Sequence, residues 1–312
     1  MARALAAEGR QLRLLVRPTS DLRGLQGLEA ELVSGELADL TALKMAVAGC
    51  QTVYHVAADY RLWASRPSEL FESNVQGTRN LLEACGRAGV ERVVYTSTVG
   101  TVGFSGAGEP SDETTSVRAA DLSGPYKRSK FEAEQVALEY SARGLSVVVV
   151  NPTAPVGEGD LKPTPTGKII VDFLRGALPA YIDTGLNLVD VRDVARGHLL
   201  AAEKGKTGER YLLGSQNMPL ERILRTLGEM TGLEPPKTKI PYAVAWIYAA
   251  LGTGVASLTG RPPRASLEAV RMARKKMYVR CEKAESELGF RPGPIEPALE
   301  RAIAWFRKNQ YC

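Results

Sequence analysis

Tyr126 and Lys130 stand four residues apart in this chain of 312 residues, and their side chains are the first candidates for chemistry. That spacing places both on one face of a helix. A lysine ammonium beside a phenol favours the phenolate and lowers the tyrosine pKa from its usual value of about 10. Such a tyrosine can exchange a proton with a carbonyl or alcohol oxygen while a hydride moves at the carbon. The alternative is an exposed helical tyrosine beside a solvated lysine.

Hydroxyl groups at the end of a predicted strand are placed to bind the same oxygen. Residues 92–96 are typical of a strand, and Ser97 and Thr98 follow it directly. Because parallel strands all end at the same edge of a sheet, Thr98 or Ser97 is expected to hold the substrate oxygen by a hydrogen bond near Tyr126.

The elements that must position these residues alternate between strand and helix. Strand patterns cover residues 12–16, 28–33, 52–57, 92–96 and 145–150, and helical patterns cover 40–47, 69–88 and 126–142. Gly49, Gly89 and Gly144 are expected to end the helices in a left-handed conformation. This alternation predicts right-handed crossovers and a parallel sheet covered on both faces. The predicted fold class is therefore doubly wound α/β.

The alternation of strand and helix patterns ends at about residue 155, where prolines mark a loop and mostly helical patterns follow. Residues 1–155 are predicted to form a dinucleotide-binding domain, and residues 156–312 a smaller, mostly helical substrate lobe. Within that lobe, residues 187–215 are expected to return to the sheet domain.

A nucleotide-binding sheet normally begins with a strand and a glycine-rich turn that opens a helix toward the pyrophosphate. Residues 1–8 instead look like the second half of the first helix, so we expect the natural start to lie upstream and the first strand to be missing here. Gly100, Gly103 and Gly106 match the glycine spacing, but a proline-containing loop follows them instead of a helix. They are therefore not expected to bind phosphate.

Composition and charge exclude several other classes of protein. The net charge of +5 is scattered and has no aromatic interleaving, which argues against nucleic-acid binding. Four cysteines without a C-x-x-C motif indicate reduced thiols in a cytoplasmic protein, and two histidines make a metal site improbable. The uncharged stretch 240–260 is broken by proline and glycine, which favours a buried helix pair over a transmembrane segment.

Several short motifs together resemble one enzyme family. These are Tyr126–Lys130, the strand end Thr96–Thr98, His55-Val56-Ala57-Ala58, Asn74–Thr78 and residues 187–195. They resemble the extended short-chain dehydrogenases/reductases, and within them the hopanoid-associated sugar epimerases, which are relatives of dihydroflavonol reductase. The resemblance covers the whole chain and implies a Rossmann-like sheet.

The resemblance also implies roles for individual residues. Tyr126 would be the catalytic acid/base, Lys130 would tune it and bind the nicotinamide ribose, and Thr98 would orient the substrate oxygen. The residues expected to contact the cofactor, besides Tyr126 and Lys130, are Arg17, Glu36, Leu37, His55, Val56, Ala57, Ala58, Thr96, Ser97, Pro152, Thr153 and Val156. Tyr60, Trp63 and Asn74 are expected on the substrate side, although packing explains the two aromatic residues equally well, and a buried amide bonded to backbone explains Asn74.

The choice of cofactor depends on Arg17, which follows the second strand of the family's sheet. Members specific for NAD tend to carry an acidic residue there, whereas a guanidinium suits the 2′-phosphate of NADP. NADP is therefore the expected cofactor, with NAD as the alternative. A homodimer through helices 69–88 and 126–142 is an expectation from the family alone.

Three functions remain open from the sequence. The first is an NADP-dependent oxidoreductase that acts on a carbonyl or alcohol, in hopanoid or related lipid-sugar metabolism. The second is a nucleotide-sugar epimerase that keeps its cofactor bound. The third is a dinucleotide-binding sensor without turnover. The small-molecule substrate itself, sugar-linked or lipid-linked, is not identified by any motif.

Overall fold

The computed structural model describes residues 1–106, 109–263 and 265–312. The strands are β1 (Arg13–Val16), β2 (Glu31–Ser34), β3 (Thr52–His55), β4 (Arg92–Thr96), β5 (Val147–Pro152), β6 (Ala154–Val156), β7 (Ala180–Tyr181), β8 (Gly185–Asp190), β9 (Arg210–Leu213), β10 (Gln216–Pro219) and β11 (Thr238–Lys239). The helices are α1 (Ala2–Ala7), α2 (Leu40–Val47), α3 (Ser68–Phe71), α4 (Gly77–Ala88), α5 (Gly124–Ala142), α6 (Pro165–Leu174), α7 (Val191–Lys204), α8 (Leu220–Thr231), α9 (Tyr242–Thr259), α10 (Leu267–Ala273) and α11 (Glu296–Lys308).

A parallel sheet in the order β3-β4-β5-β9 forms the centre of the fold. All six residues of β5 are buried, as its run of valines predicts for a strand covered on both faces. Helices α4 and α5 pack on one face, where Leu82, Val93 and Val149 share a core. Helix α7 packs on the other, with Val148 and Tyr211. The predicted doubly wound α/β class is confirmed.

Strands β1 and β2 form a separate parallel pair, in register from Arg13 opposite Glu31 to Val16 opposite Ser34. In the described part of the chain, β1 does not pair with β3, so the two parallel sheets are not continuous. The expectation that a further strand belongs between them stays a prediction.

The helices end where their glycines predict. Gly49, Gly89 and Gly144 have φ values of +70°, +71° and +101°, the left-handed region that favours glycine. Helices α3 and α4 are joined by a π-helical turn, Glu72–Gln76, so residues 68–88 run as one element with an extra residue in the middle. Asn74 lies in that turn.

The second half of the chain builds a smaller layer of helices around the strands β10-β8-β6. Helices α6, α8 and α11 enclose a core that contains Phe173, Leu227 and Phe306. The predicted mostly helical lobe is confirmed, and β9 of this half joins the central sheet beside β5.

The stretch 240–260 differs from its prediction. It forms the single helix α9 instead of a buried pair, and only 17% of it is buried. Among the described residues it is also the one helix long and apolar enough to cross a membrane, with a mean hydropathy of 1.3. The prediction failed because α9 buries alanines and exposes its large side chains.

Candidate active site

Helix α5 begins at a glycine that allows a close approach by another segment. Gly124 has φ +79°, and a Cβ there would lie 2.1 Å from Cδ of Glu268. Pro125 follows in the first turn, where its missing N–H has no helical partner to lose. Tyr126 therefore enters the helix at its N-terminal turn, between Glu268 and the end of β4.

Tyr126 is partly buried and lies beside Thr98. Burial raises the pKa of Tyr126, hydrogen bonding with Thr98 lowers it in part, and the Glu268 carboxylate raises it further. The predicted lowering of this pKa by Lys130 is therefore wrong in this structure, because desolvation of the phenolate outweighs its stabilisation. Tyr126 is a neutral phenol at pH 7 and can donate a proton.

The Lys130 ammonium is bonded to the end of β4. It donates to Tyr95 Oη at 3.0 Å and to the Thr96 carbonyl at 2.8 Å, and the residue is only 3% exposed. Burial lowers the pKa of Lys130 to about 8. Because an ammonium has three donors, these two bonds use two of them. Lys130 thus holds the end of β4, two residues before Thr98.

The strand end at β3 divides into a buried histidine and an exposed apolar edge. His55 Nε2 lies 3.0 Å from Thr78 Oγ1, and burial lowers the pKa of His55 to about 3, so its ring is neutral and points into the core. Val56 and Ala57 are exposed and Ala58 is partly buried. Of the four predicted cofactor-lining residues here, His55 is therefore a core residue, and the others form the surface.

Thr96 and Ser97 are also held by protein partners. Thr96 Oγ1 lies 2.8 Å from His198 Nε2, and Ser97 Oγ lies 3.3 Å from Thr101 Oγ1. Burial lowers the pKa of His198 to about 4, and its Nδ1 bonds the Val194 carbonyl, so its ring is held within the core. Thr98 remains as the strand-end hydroxyl beside Tyr126.

The Asn74 side chain is buried and bonded within the protein, in line with the buried-amide alternative, and its place on the substrate side stays a prediction. Its Nδ2 donates to the Asp59 carbonyl at 2.9 Å and to Ser129 Oγ at 3.0 Å, and its Oδ1 accepts from Asp59 N at 2.7 Å. It is 2% exposed. Asn74 therefore ties the segment after β3 to helix α5 and positions both.

Tyr60 and Trp63 lie on the segment that Asn74 anchors. Tyr60 is 39% exposed and donates to the Lys162 carbonyl at 3.1 Å, which links this segment to the loop before α6. Trp63 is partly buried. Both aromatic residues remain candidates for a substrate wall.

On the side of β1 and β2, Arg17 and Glu36 are exposed. The positive charge of Arg17 helps to lower the pKa of Asp59, which places its guanidinium near the segment after β3. Leu37 packs against Gly77, where a Cβ would lie 2.8 Å from Leu37 Cβ. Arg17 and Glu36 therefore face solvent at the strand ends, while Leu37 mainly holds α4.

Pro152 ends β5, Thr153 follows it, Val156 ends β6, and all three are buried. The N–H of Thr153 donates to the Leu213 carbonyl at 3.1 Å, and its hydroxyl donates to the same oxygen at 3.3 Å. Both hydrogen-bond donors of Thr153 are therefore used by the Leu213 carbonyl at the end of β9. A cofactor would have to contact other atoms of the segment 152–156.

A buried ionic network behind Thr98 was not predicted. Glu134 is fully buried; its carboxylate accepts from Thr101 Oγ1 at 2.7 Å, Asn151 Nδ2 at 2.8 Å and Arg210 at 3.0 Å. Asn151 Nδ2 also donates to the Thr98 carbonyl at 3.1 Å. The network therefore fixes the backbone of the residue beside Tyr126. Only the internal position of Glu134 on α5 could have signalled it.

The strand ends fit the two nucleoside parts of a dinucleotide. At the end of β1 the exposed Arg17 offers a cation, and at the end of β4 Thr98 lies beside Tyr126, with Lys130 bonded to the Thr96 carbonyl. After β3 the apolar side chain of Val56, 46% exposed, offers a surface for a flat ring. Such a cofactor would exchange a hydride at its nicotinamide ring with a substrate carbon.

The glycines at 100, 103 and 106 do not form a phosphate loop. Gly100 lies in the 3₁₀ turn Val99–Thr101 and the other two follow it, and a Cβ at Gly103 would lie 2.1 Å from the Ser116 carbonyl oxygen. Gly103 is therefore required by close backbone packing. Across the described ranges, no glycine-rich turn opens a helix toward the strand ends, and no group of three metal-ligating side chains is present.

Known proteins are similar to this chain over its whole length. Residues 1–214 match the NAD dependent epimerase/dehydratase family. This chain belongs to that family. A Synechocystis protein named "Putative dihydroflavonol 4-reductase" is 44% identical over 100% of the chain and 92% of its own length. Sterol demethylase protein B of Methylococcus capsulatus is 35% identical over 99% and 94%. The crystal structure of PA4631, a nucleoside-diphosphate-sugar epimerase from Pseudomonas aeruginosa, is 30% identical with a TM-score of 0.82 over 99% and 93%.

The chain is therefore an NAD-dependent enzyme of the reductase, epimerase and dehydratase type. Its resemblance to the extended short-chain dehydrogenases/reductases is confirmed. In this epimerase/dehydratase, Tyr126, Thr98 and Lys130 lie together at the strand ends, while His55, Thr153 and Asn74 are bonded within the protein.

Glu268 provides a test of the electrostatics around Tyr126. Its carboxylate is 7% exposed, has no well-formed hydrogen bond within the described structure, and has a pKa raised to about 7 by burial. Since its charge raises the pKa of Tyr126, the variant Glu268→Gln should lower that pKa. We expect the alkaline loss of reductive activity to move to lower pH by up to about one unit.

The measurement is the pH profile of kcat for carbonyl reduction. The exposed Glu282→Gln is the matched control and should leave the profile unchanged. A profile of Glu268→Gln that coincides with the parent, or moves to higher pH, would contradict this electrostatic coupling.

Proposed function

We propose that this enzyme reduces a carbonyl group of an apolar substrate with NADPH as the hydride donor. The observation that carries the proposal is the neutral phenol of Tyr126 beside the Thr98 hydroxyl at the carboxyl end of β4. A neutral phenol suits the reductive direction, in which the developing alkoxide needs a proton.

The chain's own groups act on the substrate oxygen. Thr98 and Tyr126 bind the carbonyl oxygen by hydrogen bonds, and the Tyr126 proton moves to that oxygen as the carbon gains a hydride. The tyrosine is left as a phenolate and must regain a proton before the next turnover. Lys130, with its pKa lowered to about 8, is the nearest basic residue on the same helix face and favours that reprotonation.

The expected preference for NADPH depends on Arg17. A guanidinium at this strand end can bind a 2′-phosphate by charge-assisted hydrogen bonds, which NADH cannot offer. Arg17→Glu should therefore raise the KM for NADPH by about tenfold or more, and leave the KM for NADH nearly unchanged. Steady-state kinetics with both cofactors measure this, with the exposed Arg222→Glu as control. Equal losses with both cofactors would contradict the role of Arg17.

The substrate class is proposed from the residues around the entry and from the relatives. Tyr60 and Trp63 offer aromatic surface on the segment after β3. A relative over nearly the full chain is named for sterol demethylation. These features support a fused-ring lipid ketone, of sterol or hopanoid type, as substrate.

The second candidate is epimerisation of a nucleotide sugar, which the likeness to the Pseudomonas epimerase structure favours. Epimerisation regenerates the cofactor in every cycle, whereas reduction consumes it. Stoichiometric loss of NADPH absorbance with a fused-ring ketone supports the reductase. Conversion of a nucleotide sugar without net NADPH loss supports the epimerase and refutes the first proposal.

A further inference from the structure

Helix α9 buries small side chains and exposes large apolar ones, the reverse of what is usual for a helix on a protein surface. Its buried residues are the small Ala245, Ala249 and Ala256, and the first two pack with Val270 of α10. Most of its large residues are exposed, with exposed fractions from 40% for Trp246 to 90% for Leu258. The outward apolar surface consists of Val244, Ile247, Tyr248, Leu251, Val255 and Leu258. We call it the α9 surface.

The spacing of these residues makes the α9 surface continuous. Val244, Ile247, Leu251, Val255 and Leu258 follow each other at intervals of three or four, so they form one stripe along the helix. From Val244 to Leu258 this stripe is about 21 Å long at the helical rise of about 1.5 Å per residue. An apolar surface of this extent is unusual on a protein that meets only water, and indicates a partner.

The charges around α9 identify the chemistry of that partner. The segment 237–276 contains eight lysines and arginines and a single acidic residue, the buried Glu268. Arg261 follows the Gly260 cap of the helix, Arg271 is exposed on α10, and Arg274 is exposed directly after it. Lys237 pairs with Glu234, Lys239 and Lys276 share Asp183, and Lys275 pairs with Asp121, so part of this charge is compensated. The net excess remains strongly positive.

We propose that the α9 surface binds the surface of an anionic lipid bilayer. An apolar stripe bordered by basic residues buries its side chains among acyl chains while its cations meet anionic headgroups. Trp246 and Tyr248 are of the types that favour the boundary between hydrocarbon and water. A second copy of the chain fits less well, because it would bring two basic segments together.

Both ends of α9 are bonded to the same part of the protein, so it lies on the bilayer without crossing it. Before the helix, Ile240 N donates to the Tyr181 carbonyl at 2.9 Å. In its second half, Thr253 Oγ1 accepts from Leu267 N, at the start of α10, at 3.0 Å, and α10 holds that half against the protein. Helix α10 then carries Glu268 to the start of α5, so the bound surface lies next to the entrance of the Tyr126 site.

The test is sedimentation of the full chain with vesicles of phosphatidylcholine alone or mixed with phosphatidylglycerol. We expect binding to the mixed vesicles that weakens with added salt. Leu251→Glu combined with Leu258→Glu should lower the bound fraction at least about tenfold, because charges would enter the acyl region. The matched control is Met45→Glu, an exposed apolar residue on α2, which should bind like the parent.

A second variant tests the charge separately. Arg261→Gln combined with Arg271→Gln should remove the preference for phosphatidylglycerol. Three results would overturn the proposal: no binding of the parent to mixed vesicles, equal binding by the α9 variant, and binding that resists alkaline carbonate, which indicates a spanning helix. A dimer lost in the α9 variant, without vesicle binding, would identify a second copy as the occupant. Thermal melting checks that each variant is folded, and none of these readouts depends on turnover.

Discussion

Replacing Tyr126 with phenylalanine is expected to lower kcat for carbonyl reduction by roughly a hundred- to ten-thousandfold. The phenol lies beside Thr98 at the end of β4, where burial keeps it protonated at neutral pH. Phenylalanine retains the ring and its packing but has no proton to transfer. The binding of NADPH, measured by fluorescence titration, should change little.

A second tyrosine on the same helix provides the control. Tyr140 is also buried on α5, and its hydroxyl donates to Glu83 at 3.0 Å, away from the strand ends. Tyr140→Phe should keep its kcat within about twofold of the parent. Equal activity of the Tyr126 variant and the parent would exclude Tyr126 as the proton donor.

Glu134→Gln is expected to lower the free energy of unfolding by about 3 kcal/mol. Glu134 is the carboxylate that pairs with the partly buried Arg210, whose side chain is 22% exposed. A neutral amide removes the opposite charge and turns an N–H toward the guanidinium, so Arg210 stays desolvated without its partner. The energetic cost arises from that uncompensated charge, more than from one lost hydrogen bond.

Urea unfolding followed by circular dichroism measures this loss. Glu132→Gln, exposed on the same helix, is the matched control and should remain within about 0.5 kcal/mol of the parent. The network also holds the Thr98 carbonyl through Asn151, so the Glu134 variant should lose part of its activity even below its melting temperature. Unchanged stability would show that Arg210 is solvated without Glu134.

Local pattern was sufficient to predict most of the sheet and its helices. Strand β4 and helix α2 have the bounds expected from their sequences, because each is set by a short apolar run or by a glycine cap. The turn at Gly89 needs a residue in the left-handed conformation, and the glycine itself predicts it. The position of Tyr126 at the start of α5 followed from the same local signals.

Long-range contacts were beyond such patterns. Glu134 meets partners up to 76 residues away, and nothing beside it in the sequence indicates Arg210. The Lys130 ammonium was expected beside the Tyr126 phenol, but it donates a hydrogen bond to the Thr96 carbonyl at 2.8 Å, on another element of the chain. Helix α9 failed for another reason: its composition predicts burial, and only the packing of its alanines shows which face is outward. The domain limits at residue 155 and the homodimer stay predictions.

The central claim is that this chain transfers a hydride from NADPH to a carbonyl carbon while Tyr126 supplies the proton. The most direct measurement incubates the purified chain with deuterium-labelled NADPH and a fused-ring ketone, and follows the alcohol by mass spectrometry. The account predicts that the alcohol carries the label in step with NADP⁺ formation, and that the Tyr126→Phe variant forms almost none. Labelled alcohol formed equally fast by that variant, or no labelled alcohol from the parent across a panel of such ketones, would contradict it.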